Sequence, residues 1–145
     1  MIKIICLGKI KESYLIDMIN DYKQRISKYQ KIEIIELKDT NNLEEEKNMI
    51  LKNITNHDYL ITLDIDGIEM NSIVLAKTID KAFIEKDTIT FIIGSSNGLS
   101  TEIKNISNIR LSFSKLTFPH GLFRAILLEQ IYRSMKILNN ETYHK

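Results

Sequence analysis

The 145-residue chain contains one cysteine and one proline. A lone Cys6 excludes an internal disulfide and a cysteine-based metal cage. It lies in the apolar opening "MIKIICLG", which reads as a buried first strand, so an inert thiol is expected there rather than a nucleophile. No apolar run approaches the roughly 18–20 residues of a membrane span, and the opening run has no small-residue cleavage pattern. The three histidines, His57, His120 and His144, lack zinc-ligand spacing. No G-x-G-x-x-G dinucleotide fingerprint occurs. Net charge is only +1, so the chain as a whole is no polycation. Repeats, low-complexity segments and linkers are also missing. One domain over residues 1–145 is expected, and the cysteine usage favours the cytoplasm.

What is present alternates strand and helix. Strands are expected at 2–8, 31–37, 59–65, 88–94 and 109–113. Helices are expected from Tyr14 to Ile26, from Leu43 to Ile54, from a Ser72 cap to about Ile84, after a Ser100 cap, and from 120 to 138. "TITFIIG" (88–94), almost wholly β-branched or apolar, predicts a strand buried on both faces. The order implies an α/β fold, a parallel sheet flanked by helices. Such sheets bind ligands at the carboxyl ends of their strands, which selects loops 63–67, 94–99 and 113–120.

Each loop admits several readings. "GSSNG" (94–98) matches the G-x-S-x-G elbow and offers Ser96 as a hydrolase nucleophile, with Glu129 and His144 completing a triad. A plain strand-to-helix turn needs the same glycines. "TLDIDG" (62–67) places Asp64 and Asp66 two apart, as Mg²⁺ carboxylates or as "DG" turn chemistry. Pro119 is pre-set for a helix's first turn. His120 and Arg124, four apart, share a helix face that suits an anion, or Arg124 pairs with a carboxylate. Two apolar flanks of that helix, Phe123–Leu127–Ile131 and Leu128–Tyr132–Met135, would serve the core and a partner subunit. Residues 101–145 carry 7 Lys/Arg against 3 Asp/Glu. That excess suits RNA phosphate or a solvated surface. "ETYHK" (141–145) reads as a frayed tail or as an aromatic and basic RNA contact.

Together "IKIICLGKIKESY", "TLDIDG", "FIIGSSNGLS", "LSFSKLTFPHGLFRAILLEQIYRSMKI" and "YHK" resemble, in order and spacing, the RlmH family. These are ribosomal large-subunit pseudouridine N3-methyltransferases of the SPOUT class. The resemblance implies a SPOUT fold with a C-terminal trefoil knot and an obligate homodimer with sites at the subunit interface. It implies S-adenosyl-L-methionine as cofactor, held by Leu63, Gly94, Phe113, Ser114, Lys115, Leu116, Thr117 and Phe118, with no metal. Its implied substrate is 23S rRNA within the assembled ribosome, with no part for DNA or membrane. His120, Arg124, Tyr143 and His144 form the expected substrate-side group, with Arg124 and Lys145 on phosphate. The family usually carries a second glycine after Gly94. This chain has Ser95, which strains the loop if the position needs positive φ. A noncatalytic RNA-binding domain that keeps the fold remains the third reading, beside hydrolase and methyltransferase.

Overall fold

In the computed structural model, which describes residues 1–145, β1 (Ile2–Leu7), α1 (Ser13–Ile26), β2 (Ile32–Leu37), α2 (Leu43–Leu51) and β3 (Asp58–Glu69) form the first half. α3 (Ser72–Glu85), β4 (Thr88–Ile93), α4 (Thr101–Ile106), β5 (Ile109–Ser112) and α5 (His120–Leu138) form the second. The sheet order is β2-β1-β4-β3-β5, and every neighbouring pair is parallel. Parallel neighbours need crossovers, and the helices supply them on both faces. β4 lies at the centre, as its apolar run predicts, while β2 is an edge strand whose Glu33 and Glu36 stay exposed.

Alternation along the strands divides the core. Ile2, Ile4 and Cys6 of β1 join Ile89, Phe91 and Ile93 of β4 under α1, α3 and α5, in a cluster of 19 buried residues. Ile5, Leu7 and Ile92 point the other way, against Ile50 of α2 and Ile103 of α4, in a cluster of 7. Each fully buried aliphatic or aromatic side chain contributes roughly 1.5–3 kcal/mol, so the first face carries most of the stability. Burial pushes the Cys6 thiol up to about 11, which keeps it protonated and inert.

Four expectations change. First, β3 does not stop at "DG" but runs to Glu69. Leu63 and Ile68 both pair with Leu111, so residues 64–67 bulge outward between them. A Cβ on Gly67 would stand 2.5 Å from the Arg110 carbonyl oxygen. That glycine serves close strand approach, not a turn. Second, α2 ends at Leu51, because residues 53 and 54 close tight turns onto the carbonyls of Ile50 and Leu51. Third, Asn71 rather than Ser72 caps α3, its Oδ1 accepting from Val74 N–H at 2.8 Å. Ser72 instead donates to Gln130 Oε1 at 2.7 Å. Fourth, α5 has no spare apolar flank. Leu127, Leu128, Ile131, Tyr132 and Met135 are all buried in this chain, because α5 lies between α1 and α3 and packs on both.

Candidate functional site

At the carboxyl ends of β3, β4 and β5 lies a cleft of about 390 Å³. Its walls are the β3 bulge (Leu63–Asp66), the loop after β4 (Gly94–Leu99), the segment after β5 (Phe113–Phe118) and the start of α5 (His120, Phe123). These are the three loops the sequence selects. Of the eight positions implied for the cofactor, Leu63, Gly94, Phe113, Ser114, Leu116, Thr117 and Phe118 line the cleft. Lys115 does not. Its Nζ donates to the Ile65 carbonyl at 3.3 Å, tying the segment to the bulge.

Aromatic contacts hold the 113–118 segment at both ends. The Phe113 ring meets Phe123 edge-on with centroids 5.3 Å apart, and Phe118 stacks on Phe123 at 6.0 Å. Phe123, read from sequence as one member of an apolar flank, is therefore the hub of the cleft wall. Between those ends the segment bonds to itself: Ser112 Oγ donates to Ser114 O (3.1 Å), and Leu116 N–H donates to Ser114 Oγ (3.0 Å). Pro119 does not occupy the first helical position. It is the cap residue of α5, with ψ 139, and its carbonyl accepts from Phe123 N–H at 2.9 Å.

The loop after β4 tolerates Ser95. The non-glycine residues with positive φ are Asn41 and Asn140, so Ser95 carries no such strain. Its buried hydroxyl donates to Glu46 Oε1 at 3.0 Å, and Glu46 Oε2 accepts Thr40 N–H at 3.2 Å. The serine thus anchors the loop to α2. Ser96 is exposed at the loop tip. Glu129 is engaged by Arg133 and Tyr143, and His144 by Arg133, so the hydrolase triad is not assembled.

Asp64, read as a possible metal carboxylate, is an ion-pair centre. Its Oδ2 accepts from Arg110 Nε (2.9 Å) and Nη2 (2.7 Å), Lys104 Nζ stands 3.6 Å away, and Oδ1 accepts Asp66 N–H (3.1 Å). Burial alone would push this carboxyl up. The Arg110 hydrogen bonds, the Asp66 N–H and the two cations outweigh burial and hold it below its ordinary range. A depressed folded pKa means that the stabilisation is complete above the unfolded value of about 3.9. It is lost as pH falls through the lower folded value. Asp64→Asn should therefore lower the melting temperature at pH 7, with the gap to the parent narrowing below pH 4. Thermal melts at pH 7 and pH 3 read this, and a pH-independent gap would refute the ion-pair account.

The four residues of the expected substrate-side group separate. His120 lines the cleft and is exposed. Arg124 does not extend its face. The Arg124 side chain is 5% exposed, with Nη1 on Glu36 of β2 and Nη2 on the Gly8 carbonyl at 3.1 Å. The carboxylate-pairing alternative describes it, and phosphate contact does not. Tyr143 and His144 are not frayed but lie along α5. Tyr143 OH donates to Glu129 Oε1 at 3.0 Å, and burial first, then that hydrogen bond, push its hydroxyl up to about 12. His144 Nδ1 lies 3.2 Å from Arg133 Nη1. Its ring lines a second hollow that shares Leu111, Phe113 and Phe118 with the cleft. Glu129, offered by the sequence as a triad acid, and Arg133 hold both tail residues.

Comparison with known proteins gives the family. A family model described as "Predicted SPOUT methyltransferase" matches residues 1–144. The ribosomal RNA large subunit methyltransferase H of Caldicellulosiruptor bescii is 46% identical over 154 residues and covers 100% of both chains. The protein of the same name from Clostridium tetani is 43% identical over 157 residues, covering 99% of each. Among solved structures, a probable methylase family protein from Haemophilus influenzae Rd KW20 superposes with a TM-score of 0.58 at 12% identity, covering 99% of this chain and 70% of that one. The A. aeolicus TrmH/SpoU tRNA modifying enzyme gives 0.51 at 13% identity, covering 95% and 77%. The two structures speak for the fold; the full-length sequence matches go further, and the chain belongs to the SPOUT methyltransferase family, within its ribosomal RNA large subunit methyltransferase H group.

Proposed function

We propose that this chain is an S-adenosyl-L-methionine-dependent methyltransferase that modifies N3 of a pseudouridine in 23S rRNA, acting on the assembled ribosome in the cytoplasm. Its unit is one domain over residues 1–145, knotted through the cleft segments and working as a homodimer. The carrying observation is the cleft itself, where seven of the eight positions implied for the cofactor converge from three separate loops.

The residues suit that cofactor. The walls offered by Leu63, Leu99, Leu111, Phe113, Phe118 and Phe123 are apolar, as an adenine face requires. The volume lies within the range of about 300–1,000 Å³ usual for small-molecule sites. Asp66, exposed at the bulge edge, favours a ligand that bears positive charge, whereas the charge of Asp64 is already met by Arg110 and Lys104. When bound, the cofactor supplies an electrophilic methyl group on a sulfonium. The rest falls to the protein. In-line attack by N3 demands close positioning, which the doubly anchored 113–118 wall supports. The N3–H bond gives up its proton to solvent; His144, whose Nδ1 is taken by Arg133, carries its own hydrogen on the other ring nitrogen and so meets the substrate as a hydrogen-bond donor. Tyr143 stacks on a base and Lys145 meets phosphate, while His120 stands at the cleft mouth. Arg124 has no place in this set, being engaged inside the protein. Exposed apolar side chains near the starts of α1 and α5, Tyr14, Met18 and Leu122, support a partner subunit.

Methyl transfer from labelled cofactor to ribosomes lacking the modification tests the proposal. Incorporation at a single pseudouridine is expected, and Ser96→Ala should retain it. A folded protein that binds cofactor yet transfers nothing would instead support the noncatalytic RNA-binding reading.

A further inference from the structure

Residues 139–145 leave α5 and run back along it. Asn140 takes a left-handed conformation (φ 55), which asparagine adopts more readily than most residues. Glu141 N–H then donates to the Lys136 carbonyl at 3.0 Å. Beyond this reversal, successive turns of α5 meet the tail. Glu141 accepts from Lys136 Nζ at 2.9 Å and from Tyr29 OH, in the turn after α1, at 2.8 Å. Tyr143 packs edge-on against Tyr132 with centroids 4.9 Å apart, and the Arg133 guanidinium lies 4.7 Å from its ring centre. Its hydroxyl reaches Glu129, one turn further back.

Glu141 itself touches nothing in the cleft. It is exposed, and an exposed ion pair contributes only about 0–1 kcal/mol to folding. Yet it joins three elements: the end of α1, the last turns of α5 and the returning tail. Tyr143 on Glu129 and Arg133, and His144 on Arg133, all hold the tail to one short stretch of α5. The Glu141 grip, nearer the helix end, sets where the tail enters that stretch. We infer that the Tyr29–Glu141–Lys136 clasp is a positioning device for the reaction, setting where residues 143–145 lie along α5 and so where they meet the substrate. The inference rests on the reading that those residues handle the substrate.

Full-length protein, Glu141→Ala, the exchange Lys136→Glu with Glu141→Lys, and a chain lacking 141–145 are to be compared. The readouts are single-site methylation of unmodified ribosomes, cofactor affinity by calorimetry, and melting temperature. A displaced tail should lower kcat about tenfold in Glu141→Ala, since small misplacement of reacting groups costs that much and more. Cofactor Kd and melting temperature should stay at parental values, and the exchange should restore most of the lost rate. Parental kcat in Glu141→Ala beside an inactive shortened chain overturns the clasp and leaves the tail's role standing. Full activity of the shortened chain overturns the tail's role and the clasp with it. A rate loss that tracks melting temperature, or that the exchange fails to recover, overturns positioning.

Discussion

Gly94→Ala is expected to weaken cofactor binding by roughly 30-fold or more. A Cβ at this position would stand 2.5 Å from the Gly98 carbonyl oxygen, 2.7 Å from its carbonyl carbon and 2.9 Å from Leu99 Cγ. The obstacle is backbone, and that backbone is fixed. Gly98 N–H donates to Ser95 O at 2.8 Å across the closed turn, and Ser95 is tied to Glu46. Relief requires opening the loop that forms one cleft wall. Overpacking of this kind costs about 1–3 kcal/mol in stability, and a displaced wall should weaken cofactor affinity by roughly 30-fold or more, about 2 kcal/mol. Calorimetry with S-adenosyl-L-methionine and a thermal melt measure the two effects. Affinity within threefold of the parent would show that the loop relaxes without disturbing the site.

Arg124→Ala should fail by a different route. Its guanidinium, almost wholly enclosed, joins α5 to the edge strand through Glu36 and to the loop after β1 through the Gly8 carbonyl. Arg124 is the buried partner, while Glu36 is 38% exposed and regains water, so the loss is that of charge-assisted hydrogen bonds, about 2 kcal/mol. That corresponds to a melting temperature about 6 °C lower in a domain of this size. Arg124→Lys should recover only part of it, because an ammonium lacks the planar fork that spans both acceptors. A phosphate-binding arginine would behave in the opposite way, with an unchanged melt and weaker ribosome binding. Melting curves and ribosome affinity for the two variants decide the matter.

What the sequence makes legible here is whatever depends on neighbours. The β-branched run at 88–94 announces a central strand, and α5 begins and ends at the residues its periodicity indicates. Ser100 caps the helix it precedes. The three cleft loops follow from strand ends alone. Long-range partners were not legible. Arg124 finds Glu36 across 88 positions, Ser95 finds Glu46 across 49, and Glu141 finds Tyr29 across 112. No local pattern distinguishes such residues from solvated ones, so a tail with anchored side chains reads as a frayed one. The "DG" of β3 misleads for a related reason. The pair signals a turn by propensity, whereas the glycine answers to the Arg110 backbone passing beside it.

The parallel sheet also settles where a label belongs. The amino group of Met1 bonds the Asp87 carbonyl at 2.9 Å, at the edge of the sheet where every strand begins. Lys145 follows His144, whose ring shares its hollow with the cleft wall. An affinity tag or fluorophore fused ahead of Met1 therefore sits a full strand length away from the chemistry. The same group fused after Lys145 would crowd the tail residues proposed to meet RNA, so an inactive fusion of that kind would report on the tag rather than on the enzyme.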